Sequence, residues 1–324
     1  MNLNNNIMTS SIQNRQVTNT IIMIRPIQFR MNEQTAVNNY YQKNIDNVLN
    51  VNEKAQQEFD QFVNTLKEVG IQVIVIADDP KNDTPDSIFP NNWVSFHENG
   101  DIGLYPMFAK NRRKERRPEV LDKIEASGFE INNIVDYTTA EDEELFLEGT
   151  GSLVLDRTNR KAYCALSPRA HEDLLIEFCE DFEYTPVIFN ANQTVNNKRL
   201  PIYHTNVMMS IGETFAIICL ECIDDKKERK NIISHLKNDA KEIITITEQQ
   251  VNNFAGNMLQ VVGLGDKRYL VMSSAAFNSL SKEQIHKIES HCTILHSELS
   301  TIEMLGGGSA RCMMAEVFLP KKLG

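Results

Sequence analysis

Hydrophobic and polar positions alternate along this chain in a way that predicts repeated strand–helix–strand units. Order is expected to begin at IIMIRP, a β-branched run closed by a proline and read as a buried strand. Residues 32–42 (NEQTAVNNYYQ) carry few apolar positions and predict a connecting turn or a short helix. Residues 52–68 place Phe59, Phe62, Val63 and Leu66 at helical spacing, and Gly70 follows as the expected cap. The run IQVIVIA then predicts a second buried strand. Further strands are expected near 92–97, 102–108, 152–156, 161–166, 185–190, 206–211, 215–220, 257–263, 268–273, 292–296 and 310–318. Helices are expected near 118–127, 169–180, 228–239 and 281–290. The alternation argues for an α/β class.

Five strand starts also look alike. PNNWV, GTGSLV, HTNVMM, AGNML and SARCMM each set a polar residue before two or three apolar ones. The polar residues are Asn92, Ser152 (or Gly151 before it), Asn206, Asn257 and Cys312, spaced 51 to 60 residues apart. A period in this range fits modules stacked around an axis. Five such modules would bring one polar strand end each to a shared centre.

Composition narrows the partners. The chain has 324 residues, 41% of them hydrophobic, which is ample for a large core. A net charge of −11 argues against a nucleic-acid footprint. No apolar run reaches the roughly 18–20 residues of a membrane span. The Asn-rich start MNLNNNIMTSSIQNRQ lacks the apolar stretch of a signal peptide, and residues 1–18 read as a disordered tail before one domain at 19–324. Six scattered cysteines suit a reducing compartment, so the expectation is a cytoplasmic globular protein. The cluster KNRRKERRPE at 110–119 reads as a solvated loop and helix start.

Three residues stand out for chemistry. Cys312 follows Gly306, Gly307 and Gly308, whose backbones can approach a ligand closely, and opens an apolar run. The residues alone leave two roles open for it, nucleophile or inert core thiol. Among seven histidines only His204 shares the turn-and-apolar pattern of Cys312. Glu148, in LFLEGTGSLVLD, is oddly placed for a surface carboxylate and could orient a histidine; the alternative is a strand end facing water. A metal is not indicated: Cys219 and Cys222 form a single C-x2-C within a core-like strand. GLGDKRYL reads as a tight turn and not as a dinucleotide loop.

Together these motifs resemble the guanidino-group-modifying superfamily of arginine deiminases, dimethylarginine hydrolases and amidinotransferases. FPNNWV stands where members often have Phe-Thr-Arg-Asp, LEGTG where they have Glu-Gly-Gly-Asp, and HTN where they have His-x-Asp. GGGSARCM matches the terminal cysteine motif. The fuller pattern, with MIRPIQFRMNEQTAVNNYYQ, RRKERR and YHTNVMM, is most similar to the citrulline-utilisation hydrolases. The resemblance implies the pentein fold, an α/β-propeller of five ββαβ-type modules around a central active site. It implies Cys312 as nucleophile, His204 as general acid/base and Glu148 as partner of histidine or substrate. Arg169 and either Arg113 or Arg112 match arginines that bind a substrate carboxylate in related deiminases. No cofactor or metal is implied, the partner is a small amino acid, and a homo-oligomer is left open.

Asn92 and Asn206 depart from the aspartates that usually grip a guanidinium in these enzymes. A buried carboxylate pairs well with that cation but would be an uncompensated charge beside a neutral ureido group. An amide can accept from a ureido N–H and donate to its oxygen. The expectation is therefore a cysteine hydrolase of L-citrulline. An arginine or methylarginine hydrolase, an amidinotransferase with the same chemistry, and a non-catalytic pentein are the alternatives.

Overall fold

The structure, a computed structural model, describes residues 15–43 and 50–322. Five three-stranded sheets repeat one pattern, in which a central strand pairs antiparallel on one side and parallel on the other. The first contains β1 (Thr20–Arg25) and β2 (Gln72–Ala77), joined by helix α1 (Val51–Glu68). The second holds β3 (Val94–Phe96), β4 (Asp101–Leu104) and, after α2 (Pro118–Ala126), β5 (Asn133–Asp136). A short turn of helix, α3 (Gly149–Ser152), leads into the third, formed by β6 (Val154–Asp156), β7 (Lys161–Leu166), α4 (Glu172–Asp181) and β8 (Thr185–Asn190). A hairpin follows, β9 (Asn192–Val195) and β10 (Lys198–Pro201). The fourth sheet is β11 (Met209–Ile211), β12 (Phe215–Ile218), α5 (Lys226–Asn238) and β13 (Glu242–Thr245). After the short α6 (Glu248–Val251), the fifth comprises β14 (Leu259–Val262), β15 (Arg268–Ser273), α7 (Ser274–Ser279), α8 (Lys282–Glu289) and β16 (Thr293–Ser297). Helix α9 (Ser300–Gly306) then carries the chain to β17 (Ala315–Glu316), which pairs with β1 and completes the first sheet.

The core follows from these patterns. In α1 the buried residues Ala55, Phe59, Phe62, Val63 and Leu66 form one stripe, and Gly70 closes the helix at φ +84°. Buried clusters bridge neighbouring sheets in turn. Ile22, Ile24 and Ile74 pack with Val94, Phe96 and Ile102. Tyr105 and Tyr137 at the ends of the second sheet share a core with Leu155 and Ala162 of the third. Tyr163 and Val187 share another with Ile217 and Ile244 of the fourth, and these with Leu270 and Met272 of the fifth. Val261 and Tyr269 return to Ile21, Met23 and Phe59. The first sheet is thus linked to the last through side-chain packing as well as through β17.

Several expected boundaries move. The tail expected at 1–18 lies mostly outside the described residues, but Val17 and Thr18 are buried and Gln16 is bound within the fold. The Gln16 amide donates to Leu155 O and Ile211 O and accepts from Arg157 N, contacts that polarity in the sequence does not reveal. The expected strand at 310–318 shrinks to two residues because Ser309–Met314 coil into a turn, with Cys312 N and Met313 N both donating to Ser309 O. Strands β5 and β13 and the β9–β10 hairpin were not expected. Each is four residues long with at most two adjacent apolar residues, too short a run to read as a strand. Among the described residues no helix is long and apolar enough to cross a membrane.

Candidate active site

Of the positions expected to converge, Asn92, Asn206, Asn257 and Cys312 gather around the cysteine, and at the remaining one Gly151, not Ser152, abuts Asn92 and His204; each sits on a turn and not on the strand itself. Asn92 ends the 3-10 turn Pro90–Asn92, Ser152 ends α3, and Asn206 lies in the 3-10 turn Thr205–Val207. Asn257 precedes β14, and Cys312 lies in the turn before β17. The turns nest closely. Gly149 holds φ +43°, and a Cβ there would sit 2.5 Å from Asn91 O. A Cβ on Gly151 would sit 2.4 Å from Asn92 Nδ2 and 2.8 Å from His204 Nδ1.

His204 and Glu148 form a buried pair, with Nε2 donating to Glu148 Oε2 at 2.7 Å. The other carboxylate oxygen accepts the backbone N–H of Phe108 at 3.0 Å. Arg169 Nη1 lies 3.5 Å and Arg112 Nη1 3.9 Å from the same Glu148 Oε2. Burial opposes charge on Glu148, but Arg169, the His204 hydrogen bond and Arg112 outweigh it and hold its pKa at about 2. Burial is the largest influence on His204 and, with the two arginines, lowers its pKa to about 4 against the pull of Glu148. The imidazole is therefore neutral near pH 7. Because its Nε2 proton faces an ionised carboxylate, Nδ1 carries the free lone pair.

Arg112 is held as firmly. Glu115 grips its guanidinium through Nε and Nη2, both at 2.9 Å, and Nη1 donates to Asn92 Oδ1 at 2.8 Å. Arg169 donates to Thr35 O at 2.9 Å and to Asn38 Oδ1, and its guanidinium lies 4.9 Å from the centroid of the Tyr203 ring. The segment at 32–42, expected as a mere connection, thus anchors a site arginine.

Cys312 Sγ is buried beneath two amides, Asn257 Nδ2 at 3.2 Å and Asn206 Nδ2 at 3.6 Å. Together with His204, Asn92, Arg112, Arg169, Asp86 and Asn39 it lines a cavity of about 10 Å³, room for roughly one water. Arg113 does not line it. Its Nε donates to Met107 O at 3.1 Å and stands 3.3 Å from Glu141, whereas Arg112 lines the cavity. Reasoning from sequence missed Asp86. Its Oδ2 accepts from Asn32 Nδ2 at 2.8 Å and Thr35 Oγ1 at 2.9 Å, and its buried Oδ1 has no partner among the described residues. Cys219 and Cys222 are buried, and no cluster suited to a metal occurs among the described residues.

Comparison with known proteins bears on the family and the fold. The sequence matches the family "N,N dimethylarginine dimethylhydrolase, eukaryotic" over residues 25–319. No curated protein matches the sequence significantly. In structure the chain is similar to ArgZ, an arginine dihydrolase from the ornithine-ammonia cycle in cyanobacteria. That likeness has a TM-score of 0.71 at 18% identity and covers 93% of this chain but 41% of ArgZ. The chain thus spans about two fifths of that relative's length. It covers 99% of the isolated N-terminal domain of ArgZ bound to product, and 93% of this chain aligns, with a TM-score of 0.67 at 18% identity. An adduct of dimethylarginine dimethylaminohydrolase with S-methyl-L-thiocitrulline aligns over 91% of this chain and 98% of its own, with a TM-score of 0.59 at 12% identity. These likenesses show the α/β fold of the pentein enzymes. The family match over most of the chain places this protein in the N,N-dimethylarginine dimethylhydrolase family, and with it among the guanidino-group-modifying hydrolases.

Proposed function

We propose that the protein hydrolyses a free amino acid carrying a terminal ureido or guanidino group through a covalent cysteine adduct, with L-citrulline as the preferred substrate. One observation carries the reading. Cys312, His204 with Glu148 behind it, two buried arginines and Asn92 meet at a single cavity, and Asn206 donates to Cys312 Sγ; the resemblance puts aspartates at both asparagine positions in guanidine-processing members. Residues 19–324 are read as one catalytic domain. The cyclic sharing of core between neighbouring sheets supports a five-bladed propeller around it.

The chemistry follows from the residues. His204 Nδ1 takes the thiol proton of Cys312, the thiolate attacks the ureido carbon, and a C–S bond forms. The bond from that carbon to the side-chain nitrogen breaks, His204 gives a proton to the departing amine, and ornithine leaves. Water, deprotonated by His204, then attacks the carbamoyl thioester. The C–S bond breaks, and the carbamate released decays to ammonia and carbon dioxide. Glu148 stabilises the imidazolium that His204 becomes when it takes a proton, first from Cys312 and later from water. Arg169 and Arg112 supply positive charge for the substrate carboxylate. Asn92 and Asn206 suit a neutral ureido group, since neither would be left as an unpaired buried charge.

A second reading takes arginine or a methylarginine. The unpartnered Asp86 Oδ1 lining the cavity favours it, because that oxygen can accept from a cation. Ornithine, citrulline and ammonia release from citrulline, arginine, methylarginine, agmatine and carbamoyl-putrescine separates the readings, run on wild type and on Cys312→Ala. The proposal expects the highest kcat/KM for citrulline and no turnover without Cys312. Faster turnover of arginine overturns the ureido preference, and activity in Cys312→Ala overturns the nucleophile.

A further inference from the structure

We infer that Asn257 is a further catalytic residue, whose side-chain amide donates to the nucleophilic sulfur and stabilises the thiolate relative to the thiol. The inference rests on Cys312 as the nucleophile. Asn257 Nδ2 is 3.2 Å from Cys312 Sγ, closer than Asn206 Nδ2 at 3.6 Å. Its second hydrogen goes to Asn206 O at 3.0 Å. Its Oδ1 accepts from Arg311 N at 3.0 Å and from Cys312 N at 3.4 Å. This pattern fixes the orientation of the amide. A flipped side chain would set its NH2 group against two backbone N–H donors and leave its oxygen without a proton to accept from the thiolate or from Asn206 O. Asn257 is 1% exposed, so no solvent competes for its donors.

The physical case is one of differential binding. A thiol sulfur is a weak acceptor, whereas a hydrogen bond to an ionised acceptor is about twice as strong as a neutral one. When the S–H bond breaks and its proton passes to His204, the electron pair left on sulfur accepts the Asn257 N–H. In the thioester intermediate the sulfur is neutral and the contact weakens. It strengthens again when the C–S bond breaks and the pair returns to sulfur. Asn257 therefore acts in both halves of the reaction, at the stages where charge resides on sulfur. The charged and titratable groups around the cavity are Asp86, Arg112, Arg169, Tyr203 and His204, with Glu148 behind the histidine. A change at 257 leaves all of them in place.

The test is the pH dependence of Cys312 alkylation by iodoacetamide, read at the peptide level, in wild type, Asn257→Ala and Asn257→Asp. The aspartate keeps the acceptor for Arg311 N and Cys312 N, so it preserves the turn if the alanine variant fails to fold. Loss of the donor is expected to move the alkylation midpoint up by about one to two pH units. Turnover should fall about 10- to 100-fold in kcat, with KM changed less than about threefold. A midpoint and kcat matching wild type in a variant of unchanged melting temperature would overturn the inference. Cys312→Ala separates the two claims. If it is inactive while the Asn257 profiles do not move, only the role of Asn257 fails; if it is active, the nucleophile assignment fails first.

Discussion

Replacing Glu148 by glutamine removes one negative charge from the centre of the site and leaves its shape nearly unchanged. The carboxylate lies 2.7 Å from His204 Nε2, 3.5 Å from Arg169 and 3.9 Å from Arg112, and is fully buried. At 3.5 Å, the distance to Arg169, two unit charges attract by about 5 kcal/mol at an effective dielectric constant of about 20. Much of that is offset by desolvation in the wild type. The glutamine, however, leaves the buried guanidinium groups short of a counterion, which costs about 3–5 kcal/mol. Unfolding entropy of about 2.1 cal/mol/K per residue over 324 residues converts this to a fall in Tm of about 4–7 °C. Catalysis suffers separately. The imidazolium formed during turnover loses a charge-assisted hydrogen bond worth about 1.5–3 kcal/mol, or about 10- to 150-fold in kcat. Scanning calorimetry and ornithine release measure the two effects on one preparation. A variant with kcat within about threefold of wild type and Tm within about 1 °C would refute the placement of Glu148 as partner to both His204 and the arginines.

Other outcomes follow from the same geometry. Gly151→Ala drives a methyl group against Asn92 and His204 Nδ1, so kcat should fall by at least about 100-fold with a stability loss of about 1–3 kcal/mol, checked by kinetics and melting. Asp86→Asn should lower kcat/KM for arginine by about tenfold or more relative to citrulline, since a carboxylate grips a guanidinium and an amide does not; a change shared equally by both substrates would count against Asp86 as a contact to the cation. Stability should fall with acid through His204. The unfolded chain binds its proton from about pH 6.5 and the folded protein only near pH 4, so this contribution is present above pH 6.5 and is lost as the pH falls towards 4. Melting curves of His204→Gln should show a shallower decline across that window, while the contribution of Glu148, whose folded pKa is about 2, is lost only at lower pH.

Much of the site was legible before any coordinates. The recurring polar residue ahead of an apolar pair placed Asn92, Asn206, Asn257 and Cys312 at one centre, because every sheet is entered through the same kind of turn. His204 was legible for the same reason, and Glu148 because a carboxylate between an apolar triplet and Gly-Thr-Gly is oddly placed for the surface. What escaped depends on contacts between distant segments. Asp86 is held by Asn32 and Thr35 across more than fifty residues, and Arg169 by Thr35 and Asn38 across more than a hundred and thirty. The neighbours Arg112 and Arg113 look equivalent in sequence, but within the 3-10 turn Lys110–Glu115 they point in different directions. A signal was present in Glu115, three residues after Arg112 and able to face it on a helical turn. Strands β5 and β13 were invisible because they are short outer edges of their sheets, each with only a two-residue apolar pair.

The covalent adduct is the most direct test of the reading as a whole. Wild-type protein mixed with citrulline, quenched in acid within a turnover and digested, should carry the mass of one carbamoyl group on the peptide containing Cys312. The adduct should decay as ornithine and ammonia accumulate in equal amounts, and Cys312→Ala should show neither. Ornithine release by that variant at the wild-type rate, or an adduct on any residue other than Cys312, would contradict the account.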